Sequence, residues 1–579
     1  MAEGPRRRLT LLITLLVGCV IVVVIQLVKV QVVDHQFYKN WALEQQVRAI
    51  TRDTPPRGVI RDRHGHLLAG NGLRYAVEAA PAYVVDKGGV AENLASVLHM
   101  PASHIETALS SRGQDQQLRQ WVLLAPSVSR EVGEAVIDLN AGGITVRPLW
   151  ERSYPEGTLA SHALGFSTMI TGYYGVEGYY DAMLRPEVVK WVGPVDVASL
   201  PIPWQPVAGE LPRRGVDLEL TLDRTVQALA EEELLRSLAE YGAEAGTIIV
   251  MEPDTFGVLA IASYPAYHPE QYVELAGLAS PPFEDPAVSK QYEPGSVFKI
   301  LTVAAALDSG MVTPQTTYND QGWIEVGGQT IRNATRQAYG VSSVSELLAK
   351  SLNVGAAWLS RDMGPDVFYS YLKAFGIGKR TGIDLAGEVA GQLWLPADVE
   401  HWHPSNLGTN SFGQGVALTP LQMAVTVATV ANDGVRLRPH VVGRRIGPDG
   451  AVSVYRPLVV ERVISPETAH DLTEIMVRCV EEEVTLALVE GYRVAGKSGT
   501  AQIPVPGGYA REGTIATFVG FGPVPDPELV ILVKLDRPQT SPWAANTAAG
   551  SFQRLISELF TVLGVPPEEG RLMAEVGPR

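Results

Sequence analysis

The 579-residue chain has little cysteine, two residues in all, which excludes a disulfide scaffold and a cysteine-based zinc ribbon. It also lacks any basic block. Lys and Arg number 47 against 63 Asp and Glu, a formal net charge of −16. Phosphate contacts need clustered cations, so nucleic-acid binding is excluded as well. Charged residues are 19% and hydrophobic residues 46%, a globular balance that argues against disorder. There is no internal repeat and no low-complexity tract. Beyond the N-terminus, no apolar run reaches the length needed to span a bilayer.

The single long run, residues 9–28, holds twenty residues without a charge. At about 1.5 Å per residue such a helix crosses a hydrocarbon core of about 30 Å. Arg6, Arg7 and Arg8 precede it. The positive-inside rule makes residues 1–8 a cytoplasmic tail and places the remainder outside, tethered to the cytoplasmic (inner) membrane by one pass. A cleaved signal peptide has a shorter apolar region, about 7–15 residues, and small residues at its cut. Leu16-Val17-Gly18-Cys19 has the form of a lipoprotein processing box, but the apolar run continues past Cys19 to Val28, which suits a spanning helix. Cys19 would lie in the membrane and Cys479 outside it, so no intrachain disulfide is expected.

After the anchor, residues 29–215 mix short strand-like runs, at 75–85 and 143–146, with loops. Five prolines between residues 193 and 215 mark a linker. Residues 216–579 show stronger periodicity. A helix is expected over 225–241, a hairpin from 246–251 and 258–262, and a second from 518–521 and 529–535. Long helices with hairpins indicate an α+β fold. The chain ends at Arg579, and no further C-terminal module is expected.

Three short motifs carry the chemistry. In Tyr292-Glu293-Pro294-Gly295-Ser296-Val297-Phe298-Lys299, Pro294 and Gly295 open an expected helix running to Ser309, and Ser296 and Lys299 share one face of it. The helix is apolar nearly all round and therefore buried. Desolvation lowers a lysine's pKa, which lets it act as a base toward a neighbouring serine. Ser351-Leu352-Asn353 follows a capping box, Ser343-x-x-Glu346. Lys497-Ser498-Gly499-Thr500 is the third motif. Ser-x-x-Lys, Ser-x-Asn and Lys-[Ser/Thr]-Gly in this order belong together in penicillin-recognising serine enzymes. Ser370-x-x-Lys373 is a decoy, a solvated helix face near a helix end. Gly491 to Ser498 also satisfies the P-loop pattern, yet Pro504 and Pro506 follow, so no phosphate-binding helix can start there. His64-x-His66 and His401-x-His403 lack a third ligand and read as structural. No metal and no cofactor is expected.

These motifs make the sequence resemble the class B penicillin-binding proteins over nearly its whole length. Residues 57–65, opening Arg57-Gly58, resemble the start of that family's elongated, dimerisation-type pedestal domain. Arg152-Ser153-Tyr154-Pro155 with His162-Ala163-Leu164-Gly165-Phe166, and Gly175-Val176-Glu177-Gly178, resemble two further pedestal motifs, although Tyr179 stands where glutamate is common. Thr409 to Gly415 and Ala431 to Gly434 resemble transpeptidase segments, and Pro269-Glu270 replaces the usual Pro-Asn. The resemblance implies a pedestal over 29–215 and a transpeptidase domain over 216–579, an antiparallel sheet flanked by helices. It implies a D,D-transpeptidase that crosslinks peptidoglycan stem peptides ending in D-Ala-D-Ala and is acylated by β-lactams.

On the same resemblance, Ser296 is the nucleophile, Lys299 its base and Ser351 a proton relay. Asn353, Lys497, Ser498, Gly499 and Thr500 bind substrate, and the backbone N–H groups of Ser296 and Thr500 hold the oxyanion. No glycosyltransferase segment precedes the transpeptidase domain, which implies a separate SEDS-type glycan polymerase and other division-complex membrane proteins as partners. Lys350-Ser351-Leu352-Asn353 looks more like division-type (septal) enzymes than elongation-type ones, which often carry aspartate at the third position of Ser-x-Asn. The rival classes are a β-lactamase and a non-catalytic division scaffold. A β-lactamase needs a deacylating glutamate that the sequence does not reveal, and a scaffold has no need of intact Ser296, Lys299, Ser351 and Lys497.

Overall fold

A computed structural model describes residues 4–38, 47–51, 55–113, 116–168, 171–187, 190–194, 213–505 and 507–567. Residues 1–3 of the expected tail and 195–212 of the expected linker lie outside the described residues. Helix α1 (Gly4–Val28) continues into a π-turn, Lys29–Val33. Among the described residues, Thr10–Val33 is the one stretch of helix long and apolar enough to cross a membrane, and its side chains are not buried.

The described residues pack as two compact units. The first takes residues 1–55, 75–149 and 186–214, and the second takes 56–74, 150–185 and 215–579. Strand β1 (Leu67–Ala79) replaces the strand expected at 75–85. It starts earlier because Leu68 and Ala69 are core residues, and the Gly70-Asn71-Gly72 interruption hides that start from periodicity. It stops before Pro81, which has no N–H to donate. In the first unit β1 pairs with β2 (Val122–Val128), Val77 opposite Ala125 and Ala79 opposite Val122. Helices Lys87–Leu98 and Ala102–Leu109 cover them through Leu94, Ile105 and Leu109. The strand expected at 143–146 extends as β3 (Ile144–Ser153).

In the second unit α2 (Arg224–Tyr241) is capped by Asp223, whose carboxylate accepts from the N–H groups of Thr225 and Val226, and it ends at left-handed Gly242. Strands β4 (Ala245–Met251) and β5 (Val258–Tyr264) form the first expected hairpin, with Ile249 opposite Ile261. Helices α3 (Lys299–Asp308), α4 (Asn353–Ala374) and α5 (Pro420–Ala431) follow. Strands β6 (Ala495–Val505), β7 (Gly508–Gly522) and β8 (Leu529–Asp536) complete an antiparallel sheet ordered β5-β4-β8-β7-β6. The second expected hairpin is β7–β8, with Phe518 opposite Val533. Helix α7, counting Pro466–Arg478 as α6, is Ala548–Val562.

Period-2 alternation explains why the sheet strands read as unbroken apolar runs: both faces are covered. Ile248, Val250, Ile531 and Val533 pack with Val226 and Leu234 of α2 and with Phe552 and Leu559 of α7. Ile249, Met251 and Leu532 face the opposite way, into the core that holds Phe298, Leu301 and Val425. The helix bearing Lys299 is thus buried against the sheet that carries Lys497.

The three pedestal-like motifs converge inside this second unit. Glu177, fully buried, accepts from Arg57 Nε at 2.7 Å and from Arg152 Nε at 2.6 Å, and Tyr154 donates to it at 3.3 Å. Arg57 also pairs with Asp181 at 2.8 Å. Removing one partner of a buried pair leaves a charge uncompensated, at a cost of about 3–5 kcal/mol. Two departures from the family pattern find local partners. Glu270 accepts from the Tyr154 N–H at 2.9 Å, and Tyr179 accepts from Arg438 at 3.4 Å.

Candidate active site

Ser296 sits in a 3₁₀ turn, Gly295–Phe298, and α3 begins only at Lys299. This corrects the single helix expected from Pro294: Gly295 adopts φ +60, so the chain enters by a tighter turn. The turn leaves Ser296 half-buried and Lys299 fully buried. Lys299 Nζ lies 3.0 Å from Ser296 Oγ, 3.1 Å from Ser351 Oγ, 2.6 Å from the Ser351 carbonyl and 2.7 Å from Asn353 Oδ1. The first two motifs therefore meet around one amine. Burial pushes the pKa of Lys299 well below the usual lysine range, and the positive charge of Lys497 pushes it the same way.

The capping box Ser343–Glu346 forms as expected and starts helix Val344–Ala349. Ser351 lies between that helix and α4 with φ +59, a left-handed conformation costing about 1–3 kcal/mol in a residue with a Cβ. That conformation turns both its carbonyl and its hydroxyl onto Lys299.

Lys497, Ser498, Gly499 and Thr500 run along β6, the edge strand next to β7. Alternation puts Ser498 and Thr500, both half-buried, on one face. Lys497 is 1% exposed and donates to the Ser498 carbonyl at 3.0 Å, and burial lowers its pKa. Gly499 is required by close approach: a Cβ there would stand 2.8 Å from the Val297 nitrogen and 3.0 Å from the Pro294 carbonyl. Thr500 Oγ1 accepts from the Ala544 N–H at 3.1 Å. The third motif thus packs directly on the turn carrying Ser296.

Sequence reasoning missed two supports. Glu293 accepts from the Gly415 N–H at 2.9 Å and from Tyr509 Oη at 3.0 Å, joining the Ser296 turn to the 409–415 segment and to the β6–β7 hairpin. Burial raises its carboxyl pKa. Its place in the Glu-Pro-Gly-Ser run was its only signal. Asn333, whose Oδ1 accepts from the Val354 N–H at 3.1 Å, is the other, and no spacing rule points to it.

The decoys separate cleanly. Ser370 and Lys373 are exposed on α4, with Ser370 donating to the Val367 carbonyl. The P-loop pattern runs into strand β6, not into a helix. His64, His66 and His401 pair with Asp223, Asp62 and Asp398 respectively. Among the described residues no group of three or more His, Cys, Asp or Glu could hold a metal ion. Cys479 is buried, and burial raises its thiol pKa to about 11.

Comparison with known proteins matches this architecture to two families. The penicillin-binding protein transpeptidase domain matches residues 246–557, and the penicillin-binding protein dimerisation domain matches residues 52–190. Stage V sporulation protein D of Bacillus subtilis is 31% identical, over 98% of this chain and 87% of its own length. Peptidoglycan D,D-transpeptidase FtsI of Escherichia coli is 27% identical, over 88% and 84%. The crystal structure of penicillin-binding protein 3 of Mycobacterium tuberculosis with aztreonam superposes with TM-score 0.68 at 27% identity, covering 89% of this chain and 98% of that one. A peptidoglycan synthetase of Bifidobacterium adolescentis gives TM-score 0.73 at 26% identity, covering 92% and 98%. A transpeptidase domain behind a dimerisation domain defines the class of the molecule. The chain belongs to the class B penicillin-binding proteins, a family of peptidoglycan D,D-transpeptidases.

Proposed function

We propose that the chain crosslinks peptidoglycan through an acyl-enzyme on Ser296. The observation that carries this reading is the Lys299 amine, wholly buried and 3.0 Å from Ser296 Oγ. A neutral amine there takes the Ser296 proton as Oγ attacks the carbonyl of the penultimate D-alanine of a stem peptide. The backbone N–H groups of Ser296 and Thr500 hold the oxyanion. As the tetrahedral intermediate collapses, the C–N bond breaks and Ser351 Oγ, also within reach of Lys299, relays the proton to the leaving D-alanine nitrogen. The amine of a second stem peptide then attacks the ester; as the C–O bond breaks, its proton passes through Lys299 to Ser296 Oγ, and Ser296 is released. Asn353 orients the peptide amide. The hydroxyls of Ser498 and Thr500 meet the terminal carboxylate, Gly499 allows the strand its approach, and buried Lys497 supplies the positive field behind them. β-Lactams enter by the same attack and remain attached.

The reading places α1 across the cytoplasmic membrane with Arg6–Arg8 inside and the catalytic domain outside. It assigns residues 29–215 to the pedestal and 216–579 to the transpeptidase domain, and it takes a SEDS-type glycan polymerase and division-complex membrane proteins as partners. The Lys350-Ser351-Leu352-Asn353 sequence favours septal synthesis, with elongation as the alternative. A functional tagged copy is expected to gather at midcell, and even distribution along the sidewall contradicts the septal role.

Fluorescent penicillin is expected to label the wild-type chain and not Ser296→Ala. Labelling of both, or of neither, contradicts the assignment of Ser296. The pH dependence has a definite sign. Acylation needs neutral Lys299, so its rate rises with pH through the Lys299 pKa. The Lys497 charge holds that pKa down. Lys497→Met therefore moves the acid limb of the acylation profile to higher pH, whatever it does to the plateau, and an unmoved limb contradicts the coupling.

A further inference from the structure

Asn353 can support Lys299 only if its amide oxygen, not its NH₂, faces the amine. A side-chain amide is nearly symmetric in shape, so its hydrogen-bond partners alone decide which end points where. Asn353 Nδ2 donates to the Arg332 carbonyl at 3.2 Å, and this leaves Oδ1 directed at Lys299 at 2.7 Å. The next residue in each segment repeats the contact: the Val354 N–H donates to Asn333 Oδ1 at 3.1 Å. Two consecutive residues, Arg332 and Asn333, thus grip two consecutive residues, Asn353 and Val354.

The grip answers a local deficit. Helix α4 starts at Asn353 with Leu352 at its N-cap, a side chain that cannot accept a hydrogen bond. Asn333 supplies the missing acceptor from another part of the chain. It is 3% exposed and is itself fixed. Its Nδ2 donates to both carboxylate oxygens of Asp320, at 3.0 and 2.9 Å, and lies 3.1 Å from the Gln337 carbonyl. Asp320, 1% exposed, is held by the Gly322 N–H at 2.7 Å and by Tyr318 Oη at 3.4 Å. Every polar atom of the Asn333 amide is satisfied in one orientation only. With Nδ2 on a carboxylate, Oδ1 must face Val354.

We propose that Asn333, braced by Asp320, is a positioning residue for acyl transfer: it fixes the start of α4 and the Arg332 carbonyl so that the Asn353 amide presents its oxygen to Lys299. This inference rests on the proposed roles of Ser296 and Lys299. Without the brace, the Asn353 amide is free to rotate and to set its NH₂ against the amine.

A double-mutant cycle on the full chain in detergent tests it, with fluorescent penicillin as the probe and saturation kinetics separating binding from acylation. Asn333→Ala is expected to slow the acylation step about tenfold, the scale of one hydrogen bond removed, with non-covalent binding unchanged. In an Asn353→Ala background the same substitution is expected to cost less than twofold. An equal effect in both backgrounds, or no effect in the wild-type background, overturns the inference. If Asn333→Ala fails to fold, Asp320→Asn keeps the side-chain volume and should slow acylation less, about threefold, an effect that again vanishes beside Asn353→Ala; persistence of that effect counts equally against the proposal. Ser296→Ala distinguishes the two levels. If it still labels, the reading of the site falls and this inference with it; if labelling is abolished but the cycle is additive, only this inference falls.

Discussion

The structure turns on one lysine amine kept out of water. Lys299 is fully buried, and keeping an ammonium out of water is costly enough to push its pKa well below the usual lysine range. Nearby Lys497 adds to the effect. A lysine in water is a cation and no base, whereas burial pushes this one toward the neutral form. Ser296, Ser351 and Asn353 compensate its burial with four oxygens, and each bears on the reaction proposed. Stability and chemistry are therefore written in the same contacts.

Keeping that amine dry while leaving Ser296 half-buried sets demands on the surrounding backbone. Gly295 and Ser351 both adopt positive φ, one at no steric cost and one at some cost. Gly499 lets β6 close on the turn where any side chain would strike backbone. Gly413 does the same from the other side: a Cβ there would lie 2.4 Å from the Gly295 carbonyl. Glu293 ties the Gly415 backbone and Tyr509 to the same turn. Helix α3, which begins at Lys299, packs Leu301 and Val303 into the core shared with Ile249 and Leu532 of the sheet.

Much of this was legible in the sequence because it repeats with a period or fills a motif. Apolar runs with turn residues between them gave the β4–β5 and β7–β8 hairpins, and the Ser343–Glu346 box announced its helix. The order of Ser-x-x-Lys, Ser-x-Asn and Lys-Ser-Gly pointed to residues that the fold does gather. Contacts between segments far apart in the chain were not legible. Asn333 meets Val354 across twenty-one residues, and Tyr509 meets Glu293 across more than two hundred, with nothing periodic to betray either. The same limit hid the packing of residues 56–74 and 150–185 into the unit that bears the site. Strand β1 was misplaced because a Gly-Asn-Gly interruption resembles a turn, although Asn71 there serves a tertiary bond to the Arg57 carbonyl.

Burial, reinforced by the Lys497 charge, is what should hold the Lys299 pKa down. Isotopically labelled lysine, observed by NMR across a pH titration and assigned by comparison with Lys299→Arg, measures this directly. A Lys299 pKa well below the ordinary 10.5 is expected. A Lys299 that titrates in the ordinary lysine range would overturn that expectation.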